Sequence, residues 1–315
     1  MHQNANNALY ALRWGFVQLK SQKLFSVTLN VLGIGYVLVN LAVLILLGYY
    51  LSQHSITSLE EVTQIGGMTL FIIASAMLMA VGCLLIVGGI QHYRGNTTQR
   101  VILMGVLFTS FYVLCLGIGS ALLRSQSDVG AVLLSISPVL MMVGVTAYVA
   151  PSSLFKIVGS IVGIAGAIPL AVGIFTLQPL SLVFTDWDVL FPGPFMSMAL
   201  LEGVAVILGS VAVFTHSLLS ERKEKSVSQA LLSLVGIIYG IDVFIGPLVL
   251  SFGLTNLLWK APWMPPLNGA PYFVYGTTIL WSVSLLILAI GGILLTLSSF
   301  LEFMFATKGM SKLKL

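Results

Sequence analysis

The sequence predicts an all-α fold, a polytopic membrane helix bundle of eight transmembrane helices with both termini in the cytoplasm. Composition, eight long apolar stretches and an uneven distribution of Lys and Arg predict it. Of the 315 residues, 58% are hydrophobic and 8% are charged, whereas about a quarter of an average soluble domain is charged. Even a large soluble domain buries only about 75% of its unfolded surface. A lipid-facing surface removes this difficulty.

The apolar stretches define the domain organisation. A hydrocarbon core of roughly 30 Å needs about 20 apolar residues in a helix. We predict spans at residues 24–51, 65–91, 101–123, 129–150, 157–177, 194–218, 228–251 and 273–304. They form a transmembrane domain over 24–304, between a cytoplasmic N-terminal segment (1–23) and a basic cytoplasmic tail (305–315). Leu9, Leu12, Phe16 and Leu19 recur at helical spacing, which predicts a short amphipathic helix on the inner membrane surface.

Lys and Arg give the orientation. With the N-terminus inside, only Arg124 and Lys260 fall in outer loops. The inner segments hold Arg13, Lys20, Lys23, Arg94, Arg100, Lys156, Arg222, Lys223, Lys225, Lys308, Lys312 and Lys314. Cytoplasmic loops are enriched in Lys and Arg, so this asymmetry supports the even span count as well as the orientation.

Several function classes are disfavoured. The basic residues lie in short loops between apolar stretches, which indicates topology determinants and not a nucleic-acid surface. Cys83 and Cys115 fall inside spans, where we interpret them as small buried hydrophobes without a metal site. No Walker loop, HExxH motif or nucleophile elbow is present, so nothing indicates a hydrolase or an ATPase.

The histidines bear on haem binding. A haem inside a helical bundle usually needs histidines near the middle of the membrane. His2, His54, His92 and His216 all fall in tails, loops or the ends of predicted helices. We therefore expect no cofactor bound by this chain itself.

Two acidic residues lie inside the predicted apolar spans. Glu202 and Asp242 lie on consecutive predicted helices, each roughly 12 to 14 Å below the outer edge at about 1.5 Å per residue. Such residues usually face the bundle interior and find a partner, and Tyr239 lies one turn before Asp242. The residues indicate a proton or cation site, or a polar pocket for a quinone head group. Interhelical hydrogen bonding is an equally weighted alternative.

Other features of the spans are interpreted as packing. Asn30 and Asn40 on the first span are expected to make packing hydrogen bonds, and Pro247 is expected to kink the seventh. Glycine pairs should let neighbouring helices approach closely. These pairs are Gly33 and Gly35, Gly88 and Gly89, and Gly291 and Gly292.

Two predicted outer loops are too apolar to be fully exposed to water. One contains Trp187, and the other contains Trp259 and Trp263. Tryptophan is enriched at the membrane interface, so an aromatic belt in contact with lipid is one interpretation. The other is a docking surface for a protein partner on the outside.

The chain as a whole resembles the hydrophobic B subunit of the archaeal cytochrome b558/566 complex. The resemblance rests on length, high apolar content, near absence of soluble loops, missing haem histidines and apolar outer loops. It implies a non-haem, non-catalytic membrane subunit of a respiratory electron-transport complex in the cell membrane. Such a subunit anchors an outward-facing, haem-containing redox partner, and a quinone pocket would lie near Glu202 and Asp242. The alternatives are a secondary transporter that uses these two acids for proton coupling, or a membrane scaffold without chemistry.

Overall fold

The computed structural model describes residues 2–52, 59–96, 99–124, 225–260 and 272–313, with scattered helical residues between 136 and 169. Five long helices fill these ranges. They are α1 (His2–Ser52), α2 (Leu59–Tyr93), α3 (Gln99–Arg124), α4 (Lys225–Lys260) and α5 (Tyr272–Leu313).

Four of these helices contain stretches that are long and apolar enough to cross a membrane. The stretches are Lys23–Ser52, Ile65–Tyr93, Gln229–Phe252 and Tyr272–Thr307. They confirm the predicted spans 24–51, 65–91, 228–251 and 273–304 to within a few residues. The predicted span 101–123 is a helix of nearly the expected extent, α3. The predicted spans 129–150, 157–177 and 194–218 lie outside the described residues, apart from scattered positions.

All four helices run further than the apolar stretches that they contain, and α1 and α4 do so by the most. At about 1.5 Å per residue α1 is about 77 Å long, so the part before Lys23 continues well beyond a hydrocarbon core. The amphipathic helix predicted before the first span is thus continuous with it; its place on the membrane surface stays a prediction. Helix α4 continues nine residues past its predicted end, and Trp259 and Lys260 are therefore helical. The prediction that they belong to a loop was wrong, because hydropathy marks the membrane and not the end of the helix.

The helices pack as neighbours in the order α3, α2, α1, α5, α4. Every neighbouring pair is antiparallel, as pairs of facing residues show: Gly33 with Gly82, and Ser26 with Gly89, across α1 and α2. The same reversal relates α1 to α5, α4 to α5 and α2 to α3. The start of α1 and the end of α5 consequently lie at one end of the bundle.

The basic residues are distributed in keeping with this antiparallel arrangement. Lys23, Arg94 and Arg100 lie at the end of the bundle where α4 begins with Lys225. Arg124 and Lys260, which end α3 and α4, lie at the opposite end. The described helices therefore separate the cations as the sequence predicts.

Glycines set the distance between helices, as predicted. A methyl group built on Gly33 would lie 2.6 Å from the carbonyl oxygen of Gly82, and one built on Gly292 would lie 2.7 Å from that of Gly240. Neither separation is sterically accessible to a real side chain, so the backbones touch at these points. Between α1 and α5, a leucine side chain of one helix instead packs against a glycine of the other. Leu288 packs on Gly35, and Leu32 packs on Gly291.

The centre of the bundle lies where α1, α5 and α4 meet. Leu32, Leu285 and Leu288 form its buried cluster. Val243 and Leu250 of α4 pack against this cluster, so one side of α4 is fixed towards α5.

Helix α2 ends in a tight turn at the cationic end. Gly95 has a φ of 72°, a left-handed conformation that glycine adopts without steric cost. Its N–H donates to the carbonyl of His92 (3.0 Å), and that of Asn96 donates to the carbonyl of Gln91 (3.0 Å). This helix-ending motif satisfies carbonyls of the last turn of α2 and fixes the direction in which the chain leaves it.

Candidate functional site

Asp242 lies near the middle of α4. It is half-buried and about 15 Å along the helix from Phe252, where the apolar stretch ends. Gly240, two residues earlier, contacts α5. At about 100° per residue, Asp242 is turned about 200° away from that contact. Its carboxyl therefore belongs to the side of α4 that α5 does not cover.

Tyr239 lies three residues before Asp242 on α4 and is also half-buried. Residues three apart on a helix are neighbours on its surface. The two predicted site residues on this helix thus occupy adjoining positions at nearly the same depth.

Pro247 lies inside α4, five residues after Asp242. Proline has no N–H, so it removes one hydrogen bond from the interior of the helix. One turn later, Ser251 forms a reciprocal contact with Ser282 of α5. Their hydroxyls are 3.0 Å apart, and each hydroxyl also donates to the other residue's carbonyl, at 3.0 and 3.3 Å. The weakened helix is thus tied to its neighbour directly after the proline.

Three of the other predicted site residues are not placed by the structure. Glu202, Trp187 and Trp263 lie outside the described residues. Trp259 lies in the last turn of α4, at the end of the bundle opposite to Lys225. The pairing of Glu202 with Asp242 therefore stays a prediction.

Sequence analysis missed a polar feature between α1 and α2. The oxygen Oδ1 of Asn30 is buried and has no hydrogen-bond partner among the described residues, and it lies against Gly89. Ser26 nearby donates to the carbonyl of Gly89. The prediction of a packing hydrogen bond is confirmed for Asn40, whose Nδ2 donates to the carbonyl of Tyr36 at 2.8 Å. For Asn30 it stays a prediction, since no described residue donates to its Oδ1.

A second missed feature joins three helices at the cationic end. The His92 ring packs edge-on against Phe25 of α1, with ring centroids 5.4 Å apart. Glu302 of α5 lies close enough to His92 for their charges to interact. Both residues lie towards the C-terminal ends of helices that run antiparallel to α1 and therefore parallel to each other, and this placement was the available signal. Knowing that α2 and α5 flank α1 was the missing step.

Cysteines and other ligand types form no metal centre in the described part of the chain. No group of three or more His, Cys, Asp or Glu residues is found there. Cys83 and Cys115 are free, and Cys83 is exposed on α2. The prediction that Cys83 is buried was therefore wrong, because this face of α2 is not covered by α1 or α3.

Long apolar helices, packed antiparallel through glycine contacts, define a multi-pass helical membrane protein. Comparison with known proteins gives no match to a family model, a curated protein or a solved structure.

Proposed function

We propose that this chain is the non-haem membrane subunit of a respiratory electron-transport complex, which anchors an outward-facing haem-bearing partner and shapes a quinone pocket. The observation that supports it best is the position of Asp242. An acid in the middle of a membrane helix is costly unless it faces other protein or a polar cavity. Helix α5 does not cover Asp242, so a further element or a bound molecule has to solvate it.

A quinone head group suits such a position. Its oxygen atoms form hydrogen bonds with a carboxyl group, and oxidation of the bound quinol by the haem partner releases protons that a carboxylate can accept. Asp242 would hold the proton, and Tyr239 would orient the head group from the adjoining position. Glu202 is the predicted partner from the preceding span.

The ends of the described helices support an even number of spans. Arg124 ends α3 at one end of the bundle, and Lys225 begins α4 at the other. The chain between them has to cross the membrane an odd number of times. Three crossings, as predicted from the apolar stretches, give eight spans with both termini in the cytoplasm, where the cationic end lies.

The partner would dock at the opposite, outer end. Trp259 reaches this end on α4, and Trp187 and Trp263 belong to the predicted outer loops. Tryptophans are enriched at protein interfaces because they bury a large rigid surface. A cytochrome there would exchange electrons with a quinone held in the outer half of the membrane.

Purification in mild detergent tests the proposal. We expect a cytochrome to co-purify, with the haem assigned to the companion by its visible spectrum after separation. Asp242→Asn should leave assembly and haem content unchanged and reduce quinol-dependent haem reduction about tenfold or more. Glu302→Gln, an acid near a membrane boundary on α5, is the matched control and should leave the rate unchanged. A colourless chain without companions would contradict the proposal.

A proton-coupled secondary transporter is the second candidate. Pro247 favours it, because interrupted helices beside an intramembrane acid line the substrate sites of many transporters. Here the purified chain alone, reconstituted in vesicles, should take up a solute when an inward proton gradient is imposed. Asp242→Asn should abolish the gradient dependence, whereas exchange of the solute across the membrane should continue.

A further inference from the structure

We propose that the cationic end of α1 and α2 binds the phosphate head group of an anionic phospholipid. Lys23, Tyr93 and Arg94 form this site, here called the inner cationic cap. The Nζ of Lys23 lies over the Tyr93 ring, 5.9 Å from its centroid. The proposal depends on the membrane location of the chain and not on its role in electron transport or solute uptake.

The inner cationic cap lies at the boundary of the apolar stretches. Lys23 begins the apolar stretch of α1, and Tyr93 ends that of α2. Phospholipid phosphates lie at this boundary, just outside the hydrocarbon core. Both cations of the cap are exposed, and 63% of the Tyr93 surface is accessible. A head group can therefore reach the cap without any rearrangement.

The two helices that build the cap carry no acidic residue near it, because their acidic residues, Glu60 and Glu61, lie at the far end of α2. Glu302 of α5, which lies at the same end of the bundle as the cap, interacts with His92. Basic residues at the cytoplasmic surface attract anionic lipids, and a Lys or Arg near the surface contributes to binding individually. The aromatic ring of Tyr93 restrains the ammonium of Lys23 by a cation–π contact. The position of this positive charge is therefore partly fixed.

An apolar surface leads away from the cap on the same side of the two helices. Val27 and Ile34, seven residues apart on α1, are 49% and 44% exposed. On α2, Val87 and Ile90 are each 43% exposed. Residues spaced like this share one face of a helix. A lipid is the ligand that joins an anionic head to acyl chains long enough to follow these side chains.

The close approach of α1 and α2 keeps the two halves of the site together. Gly33 and Gly82 bring the backbones into contact, and Ser26 donates to the carbonyl of Gly89 one turn from Lys23. The distance between the cation on α1 and the cation after α2 is thus fixed by packing. Arg100, exposed at the start of α3, adds positive charge beyond the turn.

Native mass spectrometry of the full chain in detergent tests the site, with added phosphatidylglycerol or phosphatidylcholine as the probe. We expect the wild-type chain to bind phosphatidylglycerol at least tenfold more tightly than phosphatidylcholine. In the variant with both Lys23→Gln and Arg94→Gln this preference should fall about tenfold. Arg124→Gln, which removes one cation at the opposite end of the bundle, should leave the preference unchanged.

Two further arms keep the test decisive. Tyr93→Leu should reduce the preference several-fold while Tyr93→Phe retains it, and these single changes serve if the double variant does not fold. Inorganic phosphate at millimolar concentration should not displace the lipid, because it lacks acyl chains. Equal binding of the two lipids, an equal effect of Arg124→Gln, or displacement by phosphate would overturn the proposal.

Discussion

The α4–α5 contact and the α1–α2 contact both bring two antiparallel helices together at a pair of glycines. They differ in how their polar groups are satisfied. Ser251 and Ser282 bond each other across α4 and α5, whereas the buried Oδ1 of Asn30, between α1 and α2, has no partner among the described residues. Lipid gives helices no hydrophobic reason to associate, so close packing and hydrogen bonds hold them together. Both contacts use packing and a hydrogen bond between helices, since Ser26 donates to the carbonyl of Gly89, but only the α1–α2 contact contains a buried oxygen without a partner among the described residues.

The largest effect is expected from filling the α4–α5 glycine contact. The three atoms nearest to a methyl group at Gly292 would all be backbone atoms: the N of Phe244, the carbonyl oxygen of Gly240 and the carbonyl carbon of Val243. Backbone cannot rotate away, so the helices would have to separate. Gly292→Ala should destabilise the protein by about 1–3 kcal/mol or more, measured by unfolding in mixed micelles.

Gly276 provides the matched control on the same helix. A methyl group there has no neighbour within 4 Å, and alanine favours a helix over glycine by up to about 1 kcal/mol. Gly276→Ala should therefore be neutral or stabilising. Equal losses from the two variants would mean that the contact at Gly292 does not hold α4 and α5 together.

Replacing glycine by alanine in the α1–α2 contact should destabilise the protein somewhat less than in the α4–α5 contact. At Gly33 one of the close atoms is the side-chain Cγ1 of Ile86, which can move, and the others are backbone atoms of Gly82 and Ile86. Gly33→Ala should cost about 1–2 kcal/mol, and Gly48→Ala, whose methyl group would have no neighbour within 4 Å, should cost nothing. A loss at Gly33 larger than that at Gly292 would reverse the comparison.

The next largest loss of stability is expected from removing the hydrogen bonds between Ser251 and Ser282. Ser282→Ala removes the bonds to Ser251 of α4 and should cost about 0.6–1.7 kcal/mol, the range for hydrogen bonds between membrane helices. Ser284 is also buried on α5, but its hydroxyl donates to the Leu280 carbonyl of its own helix. Ser284→Ala should therefore cost less than about 0.5 kcal/mol, because that carbonyl keeps its helical hydrogen bond. Similar losses would show that the bond across the helices contributes nothing extra.

The sequence was sufficient to predict the described spans because membrane thickness and cation placement each mark the same boundaries. Lys23 and Tyr93 lie where the apolar stretches of α1 and α2 begin and end. The glycine pairs also predicted close approach correctly. Which helix each glycine meets was not predictable, since Gly33 and Gly35 on α1 contact different neighbours, α2 and α5.

The candidate site was predictable only in part. An intramembrane acid such as Asp242 is evident from one sequence because its energetic cost is local. Contacts between distant segments, such as Glu302 with His92, depend on the order in which helices pack. That order emerges from many weak contacts of similar strength, and no single residue specifies it.

The electrostatic interaction between Glu302 and His92 should have a smaller effect. Glu302 is exposed, so water and salt screen its charge, and such pairs contribute about 0.2–1 kcal/mol. Glu302→Gln and His92→Gln, alone and combined, give a cycle that isolates this coupling. Strictly additive losses would show that α2 and α5 are not coupled across α1 at the cationic end.

At Asn30 the sign of the effect, and not its size, decides the comparison. Leucine has the same branching as asparagine, so Asn30→Leu removes the unpaired oxygen with little change in shape. Because an unsatisfied buried polar group costs about 1–3 kcal/mol, unfolding measurements should show stability unchanged or raised. Asn40→Leu, which removes a buried side chain whose Nδ2 is paired with the Tyr36 carbonyl, should lower stability. If Asn30→Leu is the more harmful change, its Oδ1 has a partner outside the described residues, and the α1–α2 contact is satisfied as fully as the α4–α5 contact.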